Sequence, residues 1–176
     1  MLELCRLTSE YIETEDRFRL TGEDQAKNTI SLWLTQRLSQ PLISFLLAAI
    51  SKSQTEAAQK NPALADSTEN LLQEFAQQAA AAELPQQKAV DSTLSSLSWL
   101  VENIDIKEGA EGTVRLIFRK NGAESAAINF EPQQLRQWLS IVRSQWLQAR
   151  WPIDIWPSWM AQQDTPEFLA SKNPIH

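Results

Sequence analysis

The sequence predicts an α+β domain in which helices pack on one face of an antiparallel sheet. The order strand, strand, turn, strand, helix occurs in residues 1–53 and again in residues 97–150. Charged and apolar residues alternate along several of these segments, as they do in half-buried strands. We therefore expect two hairpin-plus-helix (βββα) halves. A duplication with a pseudo-twofold axis and convergence on a common pattern both explain the similarity, because the halves share few identical residues.

The first half is expected to hold strands followed by a long helix. Arg17-Phe18-Arg19-Leu20 alternates charged and apolar side chains, and Thr21-Gly22-Glu23-Asp24-Gln25 is typical of a turn. Thr35 is expected to cap a helix that runs to about Ser53. Pro41 should kink this helix or move its start to Ser39. The strands are expected at residues 3–13, 17–20 and 30–34.

The second half has clearer boundaries. Asn121-Gly122 is the strongest two-residue signal for a β-hairpin. Glu131-Pro132 should begin a helix, because proline is favoured at the first helical position. This helix is expected to end near Arg150. The strands are expected at residues 97–107, 113–119 and 125–130.

A linker helix is expected between the halves, at about residues 65–84. Asp66-x-x-Glu69 resembles a capping box at its start. Its apolar stripe should pack against one side of the core, and residues 86–93 should form a flexible connection. The stripe consists of Leu71, Leu72, Phe75, Ala79 and Ala82.

The segment after the last helix is rich in tryptophan. Two Trp-Pro steps in residues 151–160 disfavour a continuous helix, so we expect an extended strap. Residues 1–160 are predicted to form a single domain, and residues 161–176 a mobile tail. The strap completes the core in one interpretation. In the other it binds a protein partner, because tryptophan is a favoured interface residue, and the candidates are Trp151, Trp156 and Trp159.

Arginines recur along the last helix. Arg136, Arg143 and Arg150 are spaced seven residues apart, so they form a stripe along one edge of its apolar face. One interpretation is a ridge facing an anion or an acidic partner, since guanidinium groups pair well with phosphate and carboxylate. The alternative is that the arginine stems cover the rim of the core while their charged ends lie in water.

Several chemistries are excluded by residue counts. Cys5 is the only cysteine, and the only histidine is the last residue, His176. This leaves no Cys/His zinc cluster and no plausible Cys–His or Ser-His-Asp site. The four glycines form no phosphate-binding loop. We therefore expect no catalytic residue, no metal site and no cofactor.

Charge and hydropathy indicate a cytoplasmic protein. The formal net charge of −6 argues against general nucleic-acid binding. The first residues are too polar for a signal peptide. The longest apolar run, residues 41–50, is about half the length of a membrane-spanning helix. This run is apolar nearly all round, so either the core covers it or part of it is a homodimer interface.

One motif pair resembles a known family. Glu15-Asp-Arg-x-Arg-Leu and Leu32-Trp-Leu-Thr-Gln-Arg-Leu38 resemble a family of uncharacterised bacterial proteins that combines an E-D-R-x-x-L strand with an L-W-L-T-x-R-L strand-to-helix junction. The resemblance covers about the first third of the chain. It implies a strand at residues 30–34, and it carries no activity or site residue.

Three functional hypotheses follow. Catalytic side-chain types are scarce and apolar helix surface is abundant, so we first expect a non-catalytic cytoplasmic interaction or adaptor protein, whose partner is another protein or a second copy. The alternative is a small-ligand binder or enzyme with a carboxylate/arginine pocket where the halves meet, which convergent Arg and Glu side chains in a concave apolar pocket would favour. The third is anion or nucleic-acid binding by the arginine stripe.

Overall fold

The computed structural model describes residues 1–58, 67–83, 88–95, 97–120 and 125–161. The expected hairpin at Asn121-Gly122, Asp66 of the expected capping box, and residues 162–176 of the expected tail lie outside these ranges. The strands are β1 (Leu2–Ile12), β2 (Arg17–Asp24), β3 (Thr29–Thr35), β4 (Leu97–Leu100), β5 (Asn103–Glu108), β6 (Val114–Arg119) and β7 (Ser125–Phe130). The helices are α1 (Gln36–Ala58), α2 (Ser67–Ala82), α3 (Pro132–Gln148) and α4 (Ser158–Ala161).

The seven strands form one mixed sheet in the order β4-β3-β2-β1-β7-β6-β5, curled into a half-barrel. The expectation of an antiparallel sheet is therefore wrong. β1 pairs in parallel with β7, and β3 in parallel with β4. β1 and β3 run in the same direction, and so do β5 and β7, because each pair forms the outer strands of a three-stranded antiparallel meander. β4 is parallel to β3 and runs in the same direction as β5, so the two meanders meet with β1 and β7 in parallel.

The single strand expected at residues 97–107 is divided into β4 and β5. These strands lie at opposite ends of the sheet order, yet only two residues separate them in sequence. The Val101 N–H donates to the Trp33 carbonyl of β3, and the Glu102 N–H donates to the Arg119 carbonyl of β6, each at 2.9 Å. The two ends of the curled sheet therefore meet at this dipeptide.

A bulge in β1 places Leu4 beside Gly22 of β2. The β1–β2 register shifts between Leu4 and Arg6. A Cβ at position 22 would lie 2.5 Å from Leu4 Cδ1. β2 continues through this glycine to Asp24, so the turn expected at residues 21–25 begins later than expected, and the buried Thr21 is a strand residue.

Both long helices begin as the sequence indicates. Thr35 Oγ1 accepts the Leu38 N–H at 3.3 Å, and Pro41 lies inside α1 without moving the helix start to Ser39. α3 begins at Pro132 after a capping box. α3 packs on the β1–β7 side of the sheet, where Trp138 Nε1 donates to Ser9 Oγ at 2.9 Å.

Residues 88–95 cross the opposite face of the sheet. The Val90 N–H donates to Thr8 Oγ1 at 2.9 Å, and Val90 itself is buried. Ser31 Oγ donates to Ser95 Oγ at 2.9 Å. The described part of the connection expected to be flexible is thus anchored to β1 and β3 by hydrogen bonds.

Candidate functional site

Helix α2 packs in the opposite orientation to the one its apolar stripe predicts. Gln73 and Gln77 are 2% and 0% exposed, whereas Leu71, Leu72 and Phe75 are 52%, 45% and 66% exposed. The glutamines therefore face the protein and the large apolar side chains face solvent. The other two residues of the expected stripe, Ala79 and Ala82, are exposed as well, so the expectation that this stripe packs against the core is wrong.

The cause is Arg136 on α3, which is only 7% exposed. Its guanidinium donates to Gln73 Oε1 at 2.6 Å and to Gln77 Oε1 at 3.3 Å. A buried cation needs acceptors, and leucine or phenylalanine supplies none. In the observed orientation of α2, the amide oxygens of its glutamines accept hydrogen bonds from the guanidinium. If the apolar side of α2 faced α3 instead, the guanidinium would lack these hydrogen bonds.

Further hydrogen bonds fix α2 to α3. Gln77 Nε2 donates to the Arg136 carbonyl at 2.9 Å and to Ser140 Oγ at 2.7 Å. Gln137 Nε2 donates to the Ala80 carbonyl at 3.0 Å. These α2–α3 hydrogen bonds are made by side-chain amides, and the small α2 residues Ala80 and Ala81 are buried.

The charge of Arg136 has no carboxylate partner among the described residues. Its guanidinium lies 5.6 Å from the ring centroid of Trp159 on α4, which is a cation–π distance. Burial lowers the pKa of Arg136 to about 10. Arg136 therefore remains a cation at neutral pH, held by amide oxygens and an aromatic face.

The α2 apolar surface is the name we give to the side chains of Leu71, Leu72 and Phe75. They occupy positions i, i+1 and i+4 of one helical turn, so they form a continuous outward ridge. The neighbouring α1 also exposes Phe45, by 44%. Exposed large apolar side chains scattered singly are ordinary, whereas a cluster on one helical turn is a candidate interaction surface.

A cavity of about 570 Å³ lies between α1, the β5–β6 connection and the start of α3. Its lining is apolar at Ile50, Val114, Pro132 and Leu135. Its charged lining residues are Lys52, Glu108, Glu111 and Arg136.

The strap tryptophans occupy different environments. Trp151 and Trp159 are each 5% exposed and belong to the core, whereas Trp156 is partly buried against it. Trp151 Nε1 donates to Asp16 Oδ1 at 3.1 Å, which ties the strap to the β1–β2 turn. Partner binding by these three residues stays a prediction.

The arginine stripe is not one surface. Arg136 and Arg143 are each 7% exposed, whereas Arg150 is exposed just beyond α3 with a φ of 55°. Their common anion-facing role stays a prediction. Four arginines on strands form ion pairs with carboxylates of other strands, namely Arg6–Glu23, Arg19–Glu10, Arg115–Glu3 and Arg119–Asp105.

The apolar run at residues 41–50 is mostly covered by this chain itself. The buried side chains are Leu42, Ile43, Leu46, Leu47 and Ile50. Only Phe45 among its large apolar residues is exposed. Among the described residues of α1 and α2, most exposed large apolar side chains are therefore on α2 rather than along this run.

Within the described ranges, no group of three or more His, Cys, Asp or Glu side chains could hold a metal ion. None of the described helices is long and apolar enough to cross a membrane. Comparison with protein-family models, curated proteins and solved structures finds no match to this chain. The resemblance to the bacterial family with the E-D-R-x-x-L strand stays a prediction.

Sequence reasoning placed Arg136 on α3 but missed Gln73 and Gln77 as its partners. A signal was present: glutamines recur four residues apart, at positions 73 and 77, on a helix whose leucines occupy another side. Glutamine is usually a surface residue, so this pattern alone predicts the opposite orientation.

Proposed function

We propose that this protein is a non-catalytic cytoplasmic interaction protein whose α2 apolar surface binds a second copy of the chain. The single observation that carries the proposal is the orientation of α2, which buries Gln73 and Gln77 and exposes Leu71, Leu72 and Phe75. Fully burying an exposed leucine or phenylalanine side chain is favourable by roughly 1.5–3 kcal/mol, and these three side chains have about half to two-thirds of that burial still to gain. That free energy is gained only when another surface covers them.

Charge at the α2 apolar surface is compatible with a second copy as the occupant. The chain carries a formal net charge of −6, which opposes self-association over most of its surface. The three side chains of the α2 apolar surface are uncharged, and Glu74 beside them accepts a hydrogen bond from Gln78 Nε2 of the same helix at 3.2 Å, so two copies can meet there with few carboxylates brought together. A helix ridge of this kind can pack on itself around a twofold axis, which is the usual symmetry of homodimers.

Sedimentation velocity of the purified chain over a range of concentrations tests this proposal. We expect a mass rising from 20.0 kDa towards twice that value with concentration. The variant Leu71→Gln/Phe75→Gln should remain monomeric, because both changes keep good helix formers and add polarity only at exposed positions.

Ile153→Gln is the matched control, because Ile153 is an equally exposed apolar residue, at 62%, on the strap. It should associate as the wild type does. Wild-type protein that stays monomeric up to about 1 mM would contradict self-association, since the association free energy would then be weaker than about −4 kcal/mol. Equal association of the wild type and the α2 variant would place the interface elsewhere.

A further inference from the structure

The cavity between α1, the β5–β6 connection and α3 has the size and lining of a ligand site. Its volume of about 570 Å³ lies within the roughly 300–1,000 Å³ typical of small-molecule pockets. Its apolar lining comes from each of the surrounding elements: Ile50 on α1, Val114 on β6, and Pro132 and Leu135 on α3. Such a lining suits the hydrocarbon part of a ligand.

The charged lining residues are segregated by sign. Both carboxylates, Glu108 and Glu111, come from the end of β5 and the connection that follows it. Both cations, Lys52 and Arg136, come from the helices. One wall of the cavity is therefore acidic and another is basic.

These four side chains are not paired with one another. The ion pairs found among the described residues involve none of them. Because these opposite charges form no ion pair with one another, a molecule that carries both a positive and a negative group can pair with them inside the cavity. Arg136 is in addition mostly buried, so its charge acts in a poorly solvated environment.

We propose that this cavity binds a small zwitterion with an apolar body, of the amino-acid class. The ligand carboxylate would face Lys52, while the Arg136 guanidinium, held by Gln73 and Gln77 behind the cavity wall, would add positive potential to that side. The ammonium group of the ligand would face Glu108 and Glu111, and its side chain would lie on the apolar lining. The cavity is not lined by Leu71, Leu72 or Phe75, so ligand binding there does not require self-association through the α2 apolar surface.

Binding is measured by following backbone amide chemical shifts of the full-length chain during titration with three probes. L-Phenylalanine carries both charges, 3-phenylpropanoate only the carboxylate, and 2-phenylethylamine only the ammonium group. We expect L-phenylalanine to shift the amides of Gly109 and Gly112, which line the cavity. Each singly charged probe should bind about tenfold more weakly or worse.

Charge-neutralising variants at exposed positions complete the test. Lys52→Gln and Glu111→Gln should each weaken binding of L-phenylalanine, whereas Lys107→Gln should not, because Lys107 is exposed on β5 but does not line the cavity. No shift with any probe at ~10 mM would overturn the proposal. Equal binding of 3-phenylpropanoate and L-phenylalanine would overturn it too, because the carboxylates would then take no part.

Discussion

Arg136 Nη2 donates to Gln73 Oε1 at 2.6 Å, and both side chains are at least nine-tenths buried between α2 and α3. A charged residue on one helix thus selects the polar side of its neighbour. The consequence lies on the other side of α2, where leucine and phenylalanine side chains face solvent. The proposed interaction function depends on this relationship.

The Arg136–Gln77 pair should show strong energetic coupling. Gln77→Leu leaves the guanidinium short of an acceptor, and we expect it to lower the free energy of unfolding by about 1–3 kcal/mol. Arg136→Met leaves the Gln77 amide oxygen without its donor. The double variant should lose less free energy of unfolding than the two single variants lose together, because an apolar pair then replaces the buried polar pair. Urea denaturation of the four proteins measures the coupling, and additive losses would contradict it.

The contact of Leu4 with Gly22 predicts a clash that a second substitution relieves. A Cβ at position 22 would lie 2.5 Å from Leu4 Cδ1, so Gly22→Ala should destabilise the fold by about 1–3 kcal/mol. In a Leu4→Ala background, Gly22→Ala should lower the free energy of unfolding by much less. A thermal denaturation cycle tests this. A cost that is the same in both backgrounds would argue against the close approach at the β1 bulge.

Asp16 should contribute a pH-dependent part of the stability. The Tyr11 hydroxyl donates to its Oδ1 at 2.8 Å, and this bond together with the Trp151 bond lowers the pKa of Asp16 below its usual 3.8. Because the folded-state pKa is lowered, the contribution is present above 3.8 and is lost as pH falls through the folded-state value. Asp16→Asn keeps an oxygen acceptor and tolerates the φ of 47°. Its free energy of unfolding should therefore fall less steeply with acidification.

Tyr11 provides an independent readout of the same contact. Its hydrogen bond to Asp16 raises the pKa of the phenol above 10.0, and it is the only tyrosine in the chain. Ultraviolet titration of the phenolate therefore reports this residue alone. Asp16→Asn should lower the pKa towards 10.0. An unchanged titration curve would show that the contact does not form in solution.

The strap should behave as core at Trp159 and as surface at Ile153. Trp159 is 5% exposed and contacts Arg136, whereas Ile153 is 62% exposed. Trp159→Ala should lower the free energy of unfolding by about 3–5 kcal/mol, and Ile153→Ala should change it by about 0.5 kcal/mol or less. Chemical denaturation separates the two outcomes, and similar small effects would mean that Trp159 does not pack in the core.

Local signals predicted the individual elements better than their arrangement. The strand expected at residues 125–130 is observed as Ser125–Phe130, and the helix expected after Glu131 begins at Pro132. Alternation and capping depend on neighbouring residues, so they are readable from one segment. The parallel pairing of β1 with β7 cannot be predicted from one segment, because it depends on how two meanders that are distant in sequence pack together.

The candidate site was harder to predict for a related reason. The cavity combines Lys52, Glu108 and Arg136 from three separate elements, and no short motif records that combination. The orientation of α2 is decided by one arginine that lies 59 residues from Gln77 in sequence. Helical periodicity describes which residues share a side, but it does not say which side meets a buried charge.

Thiol reactivity tests the orientation of α2 most directly. In a Cys5→Ser background, which removes the only native cysteine, Phe75→Cys and Gln77→Cys place a single thiol on either side of the helix. We expect the thiol at position 75 to react at nearly the rate of an unfolded control and the thiol at position 77 to be strongly protected. A protected thiol at position 75 together with a reactive one at position 77 would contradict it, because the apolar stripe would then face the core.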